Sequence, residues 1–393
     1  MMLLKKIGKI STGNTPSKKH REYYNSDDIG FVKPDSISDT VITEINKTSS
    51  FISENAREKA RVAPKGSILI TCIGSVGKVG IVTEGEYAFN QQINAIMPNK
   101  DVNQKYLAYN LLYNKQRLIN IANAPVVPIV NKTQLENFEI KFDSNIDAQK
   151  KIVEQLDGIA LVIDKRKKQF DALDELIKAR FIEVFGDAIH NPMEWPVKKL
   201  GELSSQINSG NTPKGGQQVY VDKGITFFRS QNVWKNKLEM DDIAYIDEAT
   251  HASMSRSSLK HGDILMTKTG RINTENSSLG RAALYMGKDE AANVNGHVYF
   301  IRLKPGINNK FILRILISDE YRDYIRSVCV GGIDKRQLNK EHIEDFPIIC
   351  PPVKLIEKYI AFTEQADKSK AVIEKSLKEL ETLQASLMQK YFS

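Results

Sequence analysis

"TGNTPSK" at residues 12–18 and "SGNTPKG" at residues 209–215 are one phrase written twice in a chain of 393 residues. Each copy follows a Lys-Lys-apolar-Gly stretch, Lys5-Lys6-Ile7-Gly8 in the first and Lys198-Lys199-Leu200-Gly201 in the second. Further matches follow in the same order. "KGSILITCIG" (65–74) lines up with "HGDILMTKTG" (261–270), and "VGIV" (79–82) with "LGRAAL" (279–284). "FNQQINAIMP" (89–98) matches "VNGHVYFIRLKP" (294–305), and "NKTQLENFEI" (131–140) resembles "DKRQLNKEHIEDFPI" (334–348). The offset drifts from about 197 to about 208, as it does when loops of the second copy gain residues. Chance supplies one such match; five in register order mean an internal duplication.

Each copy ends in a long helical pattern. In the first, Ile152, Leu156, Ile159, Ile163, Phe170, Leu173 and Ile177 fall on alternating four-three spacing, interrupted by Arg166 and Arg180. In the second, Tyr359, Ala366, Ile373, Leu377, Leu380 and Leu387 do the same, interrupted by Lys370 and Gln384. That spacing is a coiled-coil seam. A stripe this narrow does not stay exposed, and the two seams match in length, so each helix is expected to be the other's partner. Gly186 stands where a left-handed cap would stop the first helix, and Pro351-Pro352 stands just before the second.

The stretches between read as mixed strand and helix, with short β-rich runs such as 67–71 and 298–302 bounded by glycines. The expected fold is therefore α+β. Two similar globular domains of strands and short helices are joined by two long antiparallel helices packed as a coiled coil, with pseudo-twofold symmetry. The boundaries are a first domain at 1–145, a helix at 146–187, a second domain at 188–350 opened by a linker at 188–196, and a helix at 351–393. The Gly-Asn-Thr-Pro phrase reads as a turn opening each domain, its angle fixed by Pro16 and Pro213.

The composition bounds the function. No apolar run is long enough to cross a bilayer, and the Met1–Lys6 start has its apolar and basic parts in the wrong order for a secretory signal. Three cysteines, with Cys72 far from Cys329 and Cys350, argue for a reducing compartment; the expected location is cytoplasmic. The net charge is +8, yet the helical segments 147–186 and 354–393 sum to zero and +1, so the basic excess lies in the globular parts. A polyanion partner fits that distribution.

The usual catalytic patterns are incomplete. "GSVGK" (74–78) lacks the earlier glycine and the Ser or Thr of a phosphate-cradling loop, and reads as a strand-turn-strand glycine pair. "NPMEW" (191–195) lacks the second proline and adjacent aromatic of a base-stacking turn, and reads as linker. Asp241, Asp242, Asp247 and Glu248 read as a solvated loop, and the six histidines have no metal-ligand spacing. What remains are side chains that bond base edges and phosphates. In the first copy they are Lys33, Ser36, Lys78, Gln91, Gln92 and Asn94. In the second they are Arg229, Ser230, Gln231, Asn232, Lys268, Arg271, Asn273, Asn295, His297, Lys335 and Arg336. Together with the charge they favour DNA. A coiled-coil adaptor that binds only proteins is the alternative from another class.

The whole layout resembles the specificity subunit of type I restriction–modification enzymes. The resemblance rests on "LGELSSQINSGNTP" (200–213), "GDILMTKTG" (262–270), "FNQQINAI" (89–96) and two similar domains each followed by a long helix. It implies two target-recognition domains, each reading half of a bipartite double-stranded DNA target. It implies helices that set the spacer and dock two methyltransferase subunits, and a motor–nuclease subunit that completes the assembly. S-adenosylmethionine, magnesium and ATP would belong to those partners, leaving this chain non-catalytic and without a cofactor. The second copy has a Glu194-Trp195-Pro196-Val197 lead-in that the first lacks, so either the natural start is short or part of the first copy's frame comes from the other end of the chain.

Overall fold

The computed structural model describes every residue except 123–126, 273, 275 and 333. The chain packs as two units, Met1–Gln169 with Ile373–Ser393, and Phe170–Val372. This division cuts across the one read from sequence: each unit is a globular domain together with a part of both long helices.

In the first unit a five-stranded sheet runs in the order Gly8–Thr12, Ile93–Pro98, Ile68–Thr71, Val79–Val82, Thr43–Ile45. Its two middle strands are wholly buried, so they carry apolar residues without alternation. A four-stranded sheet adds Phe51–Ile52, Ile29–Val32, Glu86–Phe89 and Val62–Pro64, with Ile29–Val32 parallel to Glu86–Phe89. In the second unit, Ser204–Ser209, Val298–Leu303, Ile264–Thr267 and Ala282–Leu284 repeat the first sheet without its last strand. Ile225–Phe228 parallel to Ala292–Val294 repeats the parallel pair. The second unit also has the hairpin Val233–Trp234 and Lys237–Leu238, and the ribbon of Thr269–Gly270, Lys335–Gln337 and Val330–Gly332.

The long helices run Ile146–Phe185 and Val353–Phe392, 40 residues each. Gly186 ends the first at φ 74°, its N–H donating to the Ile182 carbonyl. Within the first unit the helices pair antiparallel. Gln155 accepts a hydrogen bond from the Tyr391 hydroxyl at 2.5 Å, and Lys167 meets Glu381 at 3.3 Å. Within the second unit, Asp174 meets Lys370 at 2.5 Å and Phe181 packs on Tyr359. Leu156, Ile163, Ile177, Tyr359, Ala366 and Ile373 of the seam are buried, and Ile152, Ile159, Phe170, Leu173, Leu377, Leu380 and Leu387 are half-buried. Lys370, a polar break in the seam, lies over the Phe170 ring at 4.2 Å.

Val153, Phe181, Phe185, Ile360, Met388 and Phe392 are also buried, off the four-three seam. They face the globular domain of their own unit, against Tyr106 and Tyr109 in the first and Phe311 in the second.

Three details of the sequence register are corrected. The Lys-Lys pairs are not equivalent. The Leu4 N–H donates to the Phe138 carbonyl as the Leu200 N–H donates to Phe346, so Leu4 matches Leu200. Met2–Leu3 then matches the strand residues Lys198-Lys199, and a register shift between Ser204 and Gln206 absorbs the extra residue. Asn131 caps Lys132–Glu136 as Asn339 caps Lys340–Glu344, so "NKTQLENFEI" matches 339–348. Lys78 matches Arg281, as shown below.

The Gly-Asn-Thr-Pro phrase leaves the strand without regular structure, and the turn comes only afterwards, at 18–19 and 214–215. Its glycine is needed for a close approach. The Gly13 and Gly210 N–H groups donate to the Ile93 and Val298 carbonyls, and the next N–H, on Asn14 and Asn211, donates to Phe89 and Val294. A β-carbon on Gly13 would sit 2.1 Å from the Asn90 carbonyl oxygen, and one on Gly210 would sit 2.0 Å from that of Val294. Nothing larger than hydrogen fits there.

Candidate nucleic-acid interface

In each unit the central strand ends in a threonine whose hydroxyl clasps the next loop. Thr71 Oγ1 donates to the Ser75 carbonyl and accepts the Lys78 N–H at 3.0 Å. Thr267 Oγ1 donates to the Ser278 carbonyl and accepts the Arg281 N–H at 2.9 Å. Gly77 and Gly280, both at positive φ, bring the chain back to the Thr71 and Thr267 carbonyls just before the cation. The "GSVGK" stretch is thus the shorter form of a loop that the second copy lengthens.

A second loop abuts the first. The Asn90 side chain accepts the Gln92 N–H and that of Asn295 accepts the His297 N–H, at 3.1 and 3.0 Å. The Gln92 carbonyl then accepts from Cys72, and the His297 carbonyl from Lys268. Gln92 and His297 therefore occupy one position in the two copies, and Cys72 matches Lys268. The candidate residues Gln92, Lys78, Lys268, Asn295 and His297 belong to one repeated loop cluster at the strand ends.

A third element is the single 3-10 turn at Pro34–Ser36 or Ser230–Asn232, entered by Lys33 or Arg229. Lys78 Nζ donates to the Pro34 carbonyl at 3.3 Å, bringing this turn to the first loop; Lys33 Nζ donates to Ser50 at 2.9 Å. Gln91 is exposed and accepts from Thr15, while Ser36 and Ser230 are half-buried. Arg229 and Gln231 both bond Asp242, whose carboxyl they hold below its ordinary value, the Gln231 hydrogen bond first. That carboxylate is occupied by its own neighbours. Asp247 caps the helix Glu248–Ser253, and among the described residues no three His, Cys, Asp or Glu side chains gather as a metal site.

In the second unit, Arg271 and Lys335 line a cavity of about 330 Å³ with Thr269, Ser277, Ser278 and Asp334. Lys268 Nζ lies 5.6 Å from the centre of the Tyr299 ring. Arg336 is tied back, Nη1 donating to the Cys329 carbonyl at 3.1 Å. Asn273 lies outside the described residues.

Two candidates turn inward. Asn94 is 3% exposed and accepts from the Thr12 hydroxyl at 2.6 Å. Asn232 is 1% exposed and bonds the Arg229 N–H and the Glu239 and Asp242 carbonyls. They hold the framework, because a buried amide must be bonded internally.

Arg281 and Trp234 were missed. The Arg281 guanidinium lies 3.8 Å above the Trp234 ring, with Nε donating to the Ser277 carbonyl at 3.0 Å and Nη2 to that of Asn276 at 2.5 Å. Trp234 is 39% exposed and donates from Nε1 to the Gln231 carbonyl. The missed signal was the glycine-cation pair, Gly77-Lys78 against Gly280-Arg281.

A family model matches the chain twice, once over each copy. Residues 1–171 and 192–382 match the family described as "Type I restriction modification DNA specificity domain". The chain is 26% identical over 378 residues to the type I restriction enzyme MjaIX specificity subunit of Methanocaldococcus jannaschii, covering 91% of this chain and 84% of that one. It is 35% identical over 112 residues to the HindI specificity subunit of Haemophilus influenzae, 28% of this chain and 24% of that one. Its fold is similar to the crystal structure of the type I restriction–modification S subunit from M. genitalium, with a TM-score of 0.59 at 14% identity over 100% of this chain and 95% of that one. A duplicated frame of clasped loops, matched in both copies by one family, has one reading: the chain belongs to the type I restriction–modification DNA specificity subunits.

Proposed function

We propose that this chain reads a bipartite double-stranded DNA target, one half with each globular domain, and performs no catalysis of its own. One observation carries the reading. The two copies share the threonine clasp, the close-approach glycine and the paired loops, yet the loops on that frame differ in length and sequence: 72–78 against 268–281. An unchanged frame with changed loops suits two independent readers of unlike sequences.

The long helices set the spacer, since each is one uninterrupted element contributing to both units. Leu161, Val162, Leu176 and Leu383 are exposed on them, apolar surface suited to the docking of two methyltransferase subunits. S-adenosylmethionine, magnesium and ATP would be bound by those subunits and by a motor–nuclease subunit. No helix among the described residues is long and apolar enough to cross a membrane; the reading places the assembly with the chromosome, in the cytoplasm.

Genome-wide methylation mapping with and without the gene tests this. A methylated target made of two unlike half-sites around an unread spacer, lost with the gene, is expected. A methylome that does not change on deletion would refute it.

A further inference from the structure

We infer that Lys78 and Arg281 are equivalent phosphate anchors, one for each half-site. The inference rests on the DNA reading proposed above and deepens it. Four hydrogen bonds place the two residues at one position. The Lys78 and Arg281 N–H groups donate to the threonine hydroxyls, and their carbonyls accept the Thr71 and Thr267 N–H groups at 3.0 and 2.9 Å. Each follows a positive-φ glycine whose N–H returns to the same threonine's carbonyl. Among the loop positions so matched, Gln92 stands against His297 and Cys72 against Lys268, whereas Asn90 and Asn295 are kept because both fold their loop. Here a cation stands against a cation. A charge kept while its surroundings change belongs to the part of recognition that does not depend on sequence, and that part is the phosphate backbone.

The way each side chain is held agrees. Lys78 uses one of its three N–H donors on the Pro34 carbonyl, the one hydrogen bond of its Nζ among the described residues; its nearby carboxylate, Asp39, is paired with Lys115 at 2.9 Å. Arg281 has the Nε–Nη2 edge fixed by two carbonyls and one face laid on Trp234, and among the described residues no hydrogen bond uses Nη1. The Nη1–Nη2 edge keeps its donors, and a planar pair of N–H groups matches two oxygens of a phosphate. Burial, and then the charge of Arg322, push the Arg281 pKa down, a cost that a neighbouring anion relieves.

The test uses the full chain assembled with its modification subunits and a duplex carrying the mapped target. Binding is measured as log K against log salt concentration. Lys78→Gln and Arg281→Gln should each reduce the magnitude of the slope by about 0.9, and the double variant by about 1.8, with the methylated sequence unaltered. Arg281→Lys, which keeps the charge and loses the carbonyl clasp, should restore the wild-type slope. A steep wild-type slope that neither glutamine variant changes, or a changed base in either half-site, overturns the anchor assignment alone. A flat wild-type slope overturns the DNA reading and the anchors with it.

Discussion

Phe392, one residue from the end of the chain, meets Tyr106 of the first domain edge-on, with ring centroids 5.3 Å apart. Phe185 meets Phe311 in the same way at 5.1 Å. Asn103 caps the helix of Tyr106 as Asn308 caps that of Phe311, so the two contacts are equivalent. Lys105 with Asp157 and Lys310 with Glu364 repeat the ion pair beside them. Each domain thus rests on the start of its own helix and on the end of the other copy's helix. Met388 and Phe392, from the far end of the chain, are part of the first domain's core.

Phe392→Ala should therefore destabilise the first unit by about 3–5 kcal/mol, the usual loss for a buried phenylalanine; its exposure is 1%. Hydrogen exchange should quicken in Gln104–Tyr113, which carries Tyr106 and Tyr109. Exchange there that stays at the wild-type rate would show that the contact contributes little.

Two glycine substitutions should act with opposite sign. Gly13→Ala meets the Asn90 carbonyl oxygen at 2.1 Å and should cost about 1–3 kcal/mol or more. Gly158→Ala, inside the first long helix with nothing within 4 Å of the new carbon, should stabilise by about 0.8–1 kcal/mol. Urea midpoints check both.

Asp319 bonds Lys235 and Lys178. Burial alone would raise its carboxyl, but the two lysine hydrogen bonds outweigh it and hold the pKa below the ordinary value of about 3.9. Its contribution is fully present above about pH 4 and fades as the pH falls through the folded value. Against Asp319→Asn, the wild type should show a constant advantage between pH 5 and 7, of about 0.2–1 kcal/mol for so exposed a group, and a shrinking one below pH 4. Denaturant titrations across that range would contradict this if the advantage grew in acid.

Much of this was legible in the chain, and the losses have physical causes. The seam was readable because a seven-residue repeat needs only a helix and a facing helix. Val153, Phe181, Ile360 and Phe392 fall outside it because contacts with the domains, distant in sequence, widen the buried stripe near the helix ends. The duplication was readable too, but its register slipped wherever hydrogen bonding decides equivalence. "VGIV" set against "LGRAAL" hid the match of Lys78 with Arg281. Asn94 and Asn232 read as contact residues in the sequence because residue type does not say which way an amide points.

Lengthening the helices tests the spacer. Seven residues inserted after Gln169 and seven after Val372 keep the seam in phase and add about 10 Å at 1.5 Å per residue. The unread spacer should grow by about 3 base pairs at 3.4 Å each. An unchanged spacer in the methylome would remove the helices from that role.

The central claim is that the two domains read independently. Its direct measurement is the methylome of a chain whose residues 1–145 are exchanged for the corresponding domain of a specificity subunit with another target, the residues facing Phe392 and Met388 being retained. One half-site should change to that of the donor while the other half-site stays as it was. A change in both halves, or in neither, would contradict the account.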